Sequence, residues 1–399
     1  MKPKFYRKVL KNGMVVILEK RELPIVSVAF AVRCGGINES AGEKGISHYI
    51  EHMLYKGTPT RNVKQIAEEI ERKGGILNGF TDEAITAYWC KMPSKHLDTA
   101  LDVLSDMVKN PLFEVKEMEK ERKVIFEEIK MRRDNPMVYV FDEIHRFLYG
   151  APFNIPLIGT HESMNSINRN KMLERFKKIY TPNNMILCVI GDADFDKIVS
   201  FAEKAFGKEK GEVPKYEIKT RNEIKIEKRK GLDQANLVLA YHSLLAGDKR
   251  SYAAEILNTL MAGGMSSRLF SEIREKRNMA YAVKAASSIN KEFAYNLIYV
   301  GTTKENVEPV KKLIIEEFEK VAKSLSEKEF NEIKEQLVGN YYISSEDSQS
   351  QMMELLTAEI NGKAEELYEY EKNIRNVKIA DVKELAKIKN YSFFALVPE

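Results

Sequence analysis

VKEMEKERKVIFEEIKMRRDNP (115–136) and SEKEFNEIKEQLVGNYYISSEDS (326–348) decide the fold of this 399-residue chain. Each is a long charged run of helical character, and around each the same order of elements recurs. In the first half, MVVILEK and IVSVAFAV are β-branched runs of strand length. A helical pattern starts at Ser47, and VKQIAEEIERKGG is a second helix that closes on Gly74-Gly75. ILNGFTDEAITAYWCKM follows as a hairpin, then the helix HLDTALDVLSDMVKNP, a long helix over 116–133 and the apolar strand NMILCVIGD. In the second half LVLAYHSL, SYAAEILNTLM, SSRLFSEIREKRN, AYAVKAASSI, FAYNLIYVGT and ENVEPVKKLIIEEFEKVAK take up the same order, and SFFALVP closes it. Such duplication predicts an α+β fold: two homologous α/β domains, each a mostly antiparallel sheet packed with helices.

The stretch KEKGEVPKYEIKTRNEIKIEKRKG is charged and poor in large apolar residues, so it separates the halves. The expected division is 1–207, a linker over 208–222, and 223–399. Lys and Arg number 63 against 59 Asp and Glu, a net charge of +4 that points to neither nucleic acid nor an anionic membrane. Apolar runs are too short to span a bilayer. The three cysteines, Cys34, Cys90 and Cys188, are odd in number and lack CxxC spacing. The start of the chain reads as a strand rather than a signal peptide, so a reducing, cytoplasmic setting is expected.

The repeat fails at one place. Where the first half has HYIEH (48–52) and EEIK, the second has LNTLMAGG and KEQL. Any metal chemistry therefore belongs to the first half. His48 and His52 are four residues apart, which puts their side chains on one helix face, ~5–6 Å apart at Cβ. Two imidazoles so placed can converge on one ion, and Glu51 can reach a water on that ion. This is the H-x-x-E-H order. A third ligand is then needed, and the long helix supplies candidates. Glu128 suits that role, and Glu121, two turns earlier, can orient a ligand histidine. Glu127 points ~100° away from Glu128 and is disfavoured. Taken alone, an acidic helix face is a solvated surface; HYIEH reverses that reading.

GISHYIEHMLYKGT, NGFT, ERKVIFEEI and GGMSSRLFSEIREKRNMAYAV together resemble the insulinase/pitrilysin family of zinc metallopeptidases, in particular its short-chain branch related to mitochondrial processing peptidase. The resemblance covers nearly the whole chain. It implies one zinc per chain held by His48, His52 and Glu128, with Glu51 as catalytic base and Glu121 as supporting acid. It implies that Asn78, Gly79, Phe80 and Thr81 form an edge strand accepting peptide or unfolded protein as an added strand. Without it, that stretch reads as an ordinary hairpin with a glycine bulge. Gly79 stands where the family usually has Ala, and Ala84 where many members carry Glu. Arg274 and Tyr281 match an Arg/Tyr pair that reaches substrate and the tetrahedral intermediate, with Asn278-Met279 in place of the usual Gly-Leu between them. The implied assembly is a homodimeric chamber with composite sites, Arg274 and Tyr281 acting on the other subunit's zinc. The rival function is a catalytically silent structural or partner subunit of the same fold.

Overall fold

The computed structural model describes residues 3–399. Two sheets organise them. The first has strands β1 (Lys4–Val9), β2 (Val15–Lys20), β3 (Ile25–Val32), β4 (Ile76–Thr81), β5 (Thr86–Pro93) and β6 (Met185–Gly191), in the order β1-β2-β6-β3-β5-β4. The second has β7 (Ile224–Arg229), β8 (Ala235–His242), β9 (Ala280–Ile289), β10 (Ala294–Thr302) and β11 (Ser392–Pro398), in the order β7-β11-β8-β10-β9. With β1 set aside, the orders correspond strand for strand. So do the directions: β2–β6 and β7–β11 are the parallel pairs, and the other neighbours are antiparallel. The duplication read from element order is thus repeated in the topology, and the fold is α+β.

Helices of the first half are α1 (Ile46–Leu54), α2 (Val63–Glu71), α3 (Leu97–Lys109), α4 (Val115–Asp134), α5 (Pro136–Leu148), α6 (His161–Ser166), α7 (Arg169–Ile179) and α8 (Phe195–Ala205). Those of the second are α9 (Ser251–Ala262), α10 (Val307–Ser324), α11 (Glu327–Glu346), α12 (Ser348–Asn361), α13 (Tyr370–Asn376) and α14 (Ile379–Leu385). The long helices α4 and α11, the two runs that announce the repeat, are equal in length. No helix among the described residues is long and apolar enough to cross a membrane. Cys34, Cys90 and Cys188 are free and buried.

Three features depart from the reading of the sequence. The charged stretch between the halves contains β7, an edge strand whose exposed Lys225 and Lys228 suit an edge that must not pair further. SSRLFSEIREKRN does not form a helix like α2; over Phe270–Glu275 it is a π-helical turn. Third, α5 and α12 are additions to the expected order, and each packs away from its own half of the chain. Contacts divide the chain into one compact unit of 1–129, 155–217 and 344–368, and another of 130–154, 218–343 and 369–399. Helix α5 lies against β11 and β8 in the second unit, and α12 lies against β6 and β3 in the first. Those two strand pairs are equivalent by topology, so the exchange is reciprocal.

In the first unit α12 is held by buried charge as well as by Met352, Leu355 and Leu356. Glu359, with 1% of its side chain exposed, accepts two bonds from Arg7 and one from Arg33, all 2.8 Å. Its Oε2 also accepts the Ala364 N–H at 3.1 Å. Glu19, also buried, accepts from Gln351 and Tyr368 at 2.8 and 2.6 Å. Burial alone would raise the Glu359 carboxyl, but the bonds from Arg7, Ala364 and Arg33 hold it below the ordinary glutamate value.

Replacing Glu359 with Ala takes the buried carboxylate from Arg33 and leaves Arg7 only the more exposed Glu365 at 3.8 Å, and should lower the stability of the first unit by about 3 kcal/mol at pH 7. Because the folded value lies below the unfolded one, the contribution is complete above about pH 4.3 and fades as pH falls through the lower value. Denaturant titrations of wild type and Glu359→Ala should therefore differ most at pH 7, and the difference should shrink progressively as the pH is lowered below about 4.3.

Candidate metal centre

Helix α1 exposes chemistry on one face because its other face is fully committed to the core. Ile46, Tyr49, Ile50, Met53 and Leu54 are buried, leaving His48, Glu51 and His52 half-buried on the remaining side. The helix starts at Gly45, whose φ of 91° is left-handed and open to glycine. The buried carboxylate of Glu39 accepts the N–H groups of Gly45 and Ser47 at 2.9 and 2.7 Å, capping the helix from outside it. Tyr49 donates its hydroxyl to the Met118 carbonyl of α4. Arg122 lies 5.5 Å over the Tyr49 ring and bonds the Met164 and Ile167 carbonyls. Helix α4 buries Met118, Glu121, Arg122 and Ile125, so the carboxylate one turn on, Glu128, follows that face toward α1.

One donor atom from each of His48, His52 and Glu128 lies within 4.8 Å of the others. Glu128 Oε2 is 3.6 Å from His48 Nε2 and 3.7 Å from His52 Nε2. A tetrahedral ion with bonds of ~2.0–2.1 Å sets its ligand atoms about 3.4 Å apart, so this spacing fits one. Glu121 Oε2 lies 3.1 Å from His52 Nδ1, and its Oε1 lies 2.6 Å from Lys56 Nζ. With Nδ1–H given to a carboxylate, His52 keeps the Nε2 lone pair toward Glu128. Glu128 repels the nearby Glu51 carboxylate, and a divalent cation would offset that repulsion.

Glu51 Oε2 accepts the Thr81 hydroxyl at 2.7 Å. Burial raises the Glu51 carboxyl above its ordinary value; the Thr81 bond and His52 oppose this, and Glu128 adds to it. Strand β4 is an edge of its sheet and runs beside α1. It pairs with β5 in unbroken register, Asn78 opposite Trp89 and Thr81 opposite Thr86, so there is no bulge at Gly79. Asn78 Oδ1 accepts the Gly79 N–H at 2.8 Å.

Arg274 and Tyr281 lie in the second unit, whereas every other residue named for the site lies in the first. Arg274 is on the π-helical turn, its guanidinium 4.8 Å over Phe270. Tyr281 is on the edge strand β9, with its ring against Gly301, where a Cβ would come within 2.2 Å. Asn278 between them has φ 54°, a left-handed backbone that Asn tolerates almost as Gly does. The turn is thus kept without the glycine.

Sequence reasoning missed three contributors. Lys56 follows HYIEHMLY directly, but its link to Glu121 runs between helices. Thr81 enters the sequence reading only as part of a strand, yet it holds Glu51 by its side chain. Glu39 carries no motif at all.

A duplicated α+β fold with a two-histidine, one-carboxylate donor set on one unit defines a class of peptidase-like proteins. The family model for Insulinase (Peptidase family M16) matches residues 14–161, and that for the Peptidase M16 inactive domain matches 166–337. An uncharacterized zinc protease of Bacillus subtilis is 33% identical over 347 residues, spanning 86% of this chain and 85% of that protein. An uncharacterized zinc protease of Mycobacterium tuberculosis is 31% identical over 394 residues, spanning 96% and 90%. The chain belongs to the insulinase family, peptidase family M16. In fold it is similar to a crystallised protease from Helicobacter pylori, with TM-score 0.93 and 23% identity over 100% of both chains. It is also similar to a peptidase M16 inactive domain from Pseudomonas fluorescens, with TM-score 0.89 and 19% identity over 99% and 98%.

Glu121→Gln should weaken divalent-metal affinity by about 10- to 100-fold while leaving the fold intact. Competition with a chromogenic chelator, alongside circular dichroism, checks this.

Proposed function

We propose that this chain is a zinc-dependent endopeptidase that hydrolyses peptides or unfolded protein segments, with one zinc held by His48, His52 and Glu128. The observation that carries the reading is the convergence of those three donors beside a carboxylate, Glu51, that is itself held against edge strand β4. Zinc, when bound, supplies Lewis acidity: it lowers the pKa of water and polarises a carbonyl.

The chain's own residues do the rest. Glu51 takes a proton from the attacking water and passes it to the leaving amine. Burial raises its carboxyl above the ordinary glutamate value, which makes it a stronger base toward that water. Thr81 holds one carboxylate oxygen, so the base keeps a fixed orientation between the two transfers. Glu121 and Lys56 keep His52 in the tautomer that leaves Nε2 open to a cation. Asn78, Gly79, Phe80 and Thr81 bind the substrate by pairing its backbone to the outer edge of β4, which selects extended chains over folded ones. Arg274 and Tyr281 are half exposed and supply donors for the developing oxyanion. In this reading two copies assemble and each places its Arg274 and Tyr281 at the zinc of the other, in a reducing compartment.

Glu51→Gln should reduce cleavage of a quenched fluorescent peptide library at least about 1,000-fold with zinc content unchanged. If wild type and variant both hold zinc and neither cuts, the chain is the silent-subunit form of the fold. Mixing Glu51→Gln with Arg274→Ala chains should recover a measurable part of wild-type activity; recovery in no ratio rules out the trans arrangement.

A further inference from the structure

Glu51 and Tyr55 are four residues apart, as His48 and His52 are, so α1 and its C-cap carry a second stacked pair beside the ligands. Tyr55 packs against the core of the first unit, its ring centroid 6.3 Å from that of Tyr88. Its hydroxyl oxygen is closed to solvent and has no hydrogen-bond partner among the described residues. A buried hydroxyl left unpaired forfeits its hydration without return. Tyr88 and Tyr180, the neighbouring phenols, satisfy each other at 2.7 Å.

The surroundings of Gly79 show what the Tyr55 hydroxyl faces. A Cβ built on Gly79 would lie 2.6 Å from Tyr55 Oη, 3.0 Å from the Ala87 carbonyl oxygen and 3.4 Å from Glu51 Oε1. Gly79 has an ordinary strand backbone, so glycine is needed there for space and not for its dihedral freedom. The room that a methyl would take is filled by the phenol. Of the two acceptors around that point, the Ala87 carbonyl belongs to β5, a strand paired on both sides. Glu51 Oε2 is already engaged by Thr81, which leaves Oε1, 3.4 Å from the same point, as the carboxylate oxygen that Thr81 does not take. Burial and the Glu51 charge keep the phenol protonated far above neutral pH, so it can only be a donor toward a carboxylate.

We propose that Tyr55 is a positioning residue for the Glu51 base. Its hydroxyl donates to Oε1 in the working enzyme as Thr81 donates to Oε2, and residue 79 is glycine because that hydroxyl needs the place of a side chain. Tyr55 and Gly79 are then one device. The inference rests on the peptidase reading and adds to it why this chain departs from alanine at position 79.

The test is a double-mutant cycle of Tyr55→Phe and Gly79→Ala on the full chain, read by peptide cleavage, by zinc affinity and by thermal unfolding of the metal-free protein. Tyr55→Phe should lower kcat about tenfold with KM and zinc affinity unchanged. Its unfolding temperature should hold or rise, because an unpaired buried hydroxyl has been removed. Gly79→Ala should lower the unfolding temperature of the wild-type chain, and do so much less when made on top of Tyr55→Phe. Full kcat in Tyr55→Phe, or an equal cost of Gly79→Ala in both backgrounds, overturns the inference alone. A zinc-loaded wild type that cuts no peptide overturns the peptidase reading, and this inference with it.

Discussion

Everything at the candidate centre depends on how α1 meets α4. One contact sets it: the Tyr49 hydroxyl on the Met118 carbonyl, with Arg122 stacked on the same ring and tied to two carbonyls beyond. Fixing Met118 against Tyr49 fixes the positions one and more turns along each helix. Glu121 then meets His52, and Glu128 meets both imidazoles. The N-terminus of α1 is pinned independently by the Glu39 carboxylate. A ligand set is useful only if its members hold still before the ion arrives, and these anchors sit in the core, away from solvent.

The duplication explains why one unit alone carries this chemistry. Helix α9 occupies the place of α1 after β8, as α1 does after β3. Its residues Ala253, Ala254, Ile256, Leu257, Leu260, Met261 and Ala262 are all buried, and it packs on α13 and α14 as well as on the second sheet. None of its half-buried residues, Tyr252, Glu255 and Thr259, is a histidine, and Glu255 accepts the Tyr370 hydroxyl at 2.5 Å. In the first unit α1 keeps one side open, and the chemistry is there. The second unit has Tyr281 on its edge strand and Arg274 on a π-helical turn.

Elements whose signal is local are legible in the sequence. Helix α4 spans Val115–Asp134 where the pattern predicts 116–133, because its start, its charge pattern and the Asn135-Pro136 stop are all written in adjacent residues. The strands and the β4–β5 hairpin are legible for the same reason. Strand β7 is obscured because an edge strand with exposed lysines has the composition of a linker. Helices α5 and α12 are obscured because their partners, β8 and β11 or β3 and β6, lie far off in sequence.

The sequence by itself determined the pairs that share a helix: His48 with His52, and Glu121 with Glu128, because the period of an α-helix follows from the backbone alone. It also determined the repeat, since order along the chain needs no folding to be seen. Tertiary structure alone decided which unit α5 and α12 complete, that Lys56 reaches Glu121, that Thr81 holds Glu51, and that the Tyr55 hydroxyl fills the space beside Gly79. Each of these is a meeting of side chains from separate elements. Such meetings are set by how the faces pack, and no spacing along the chain encodes them.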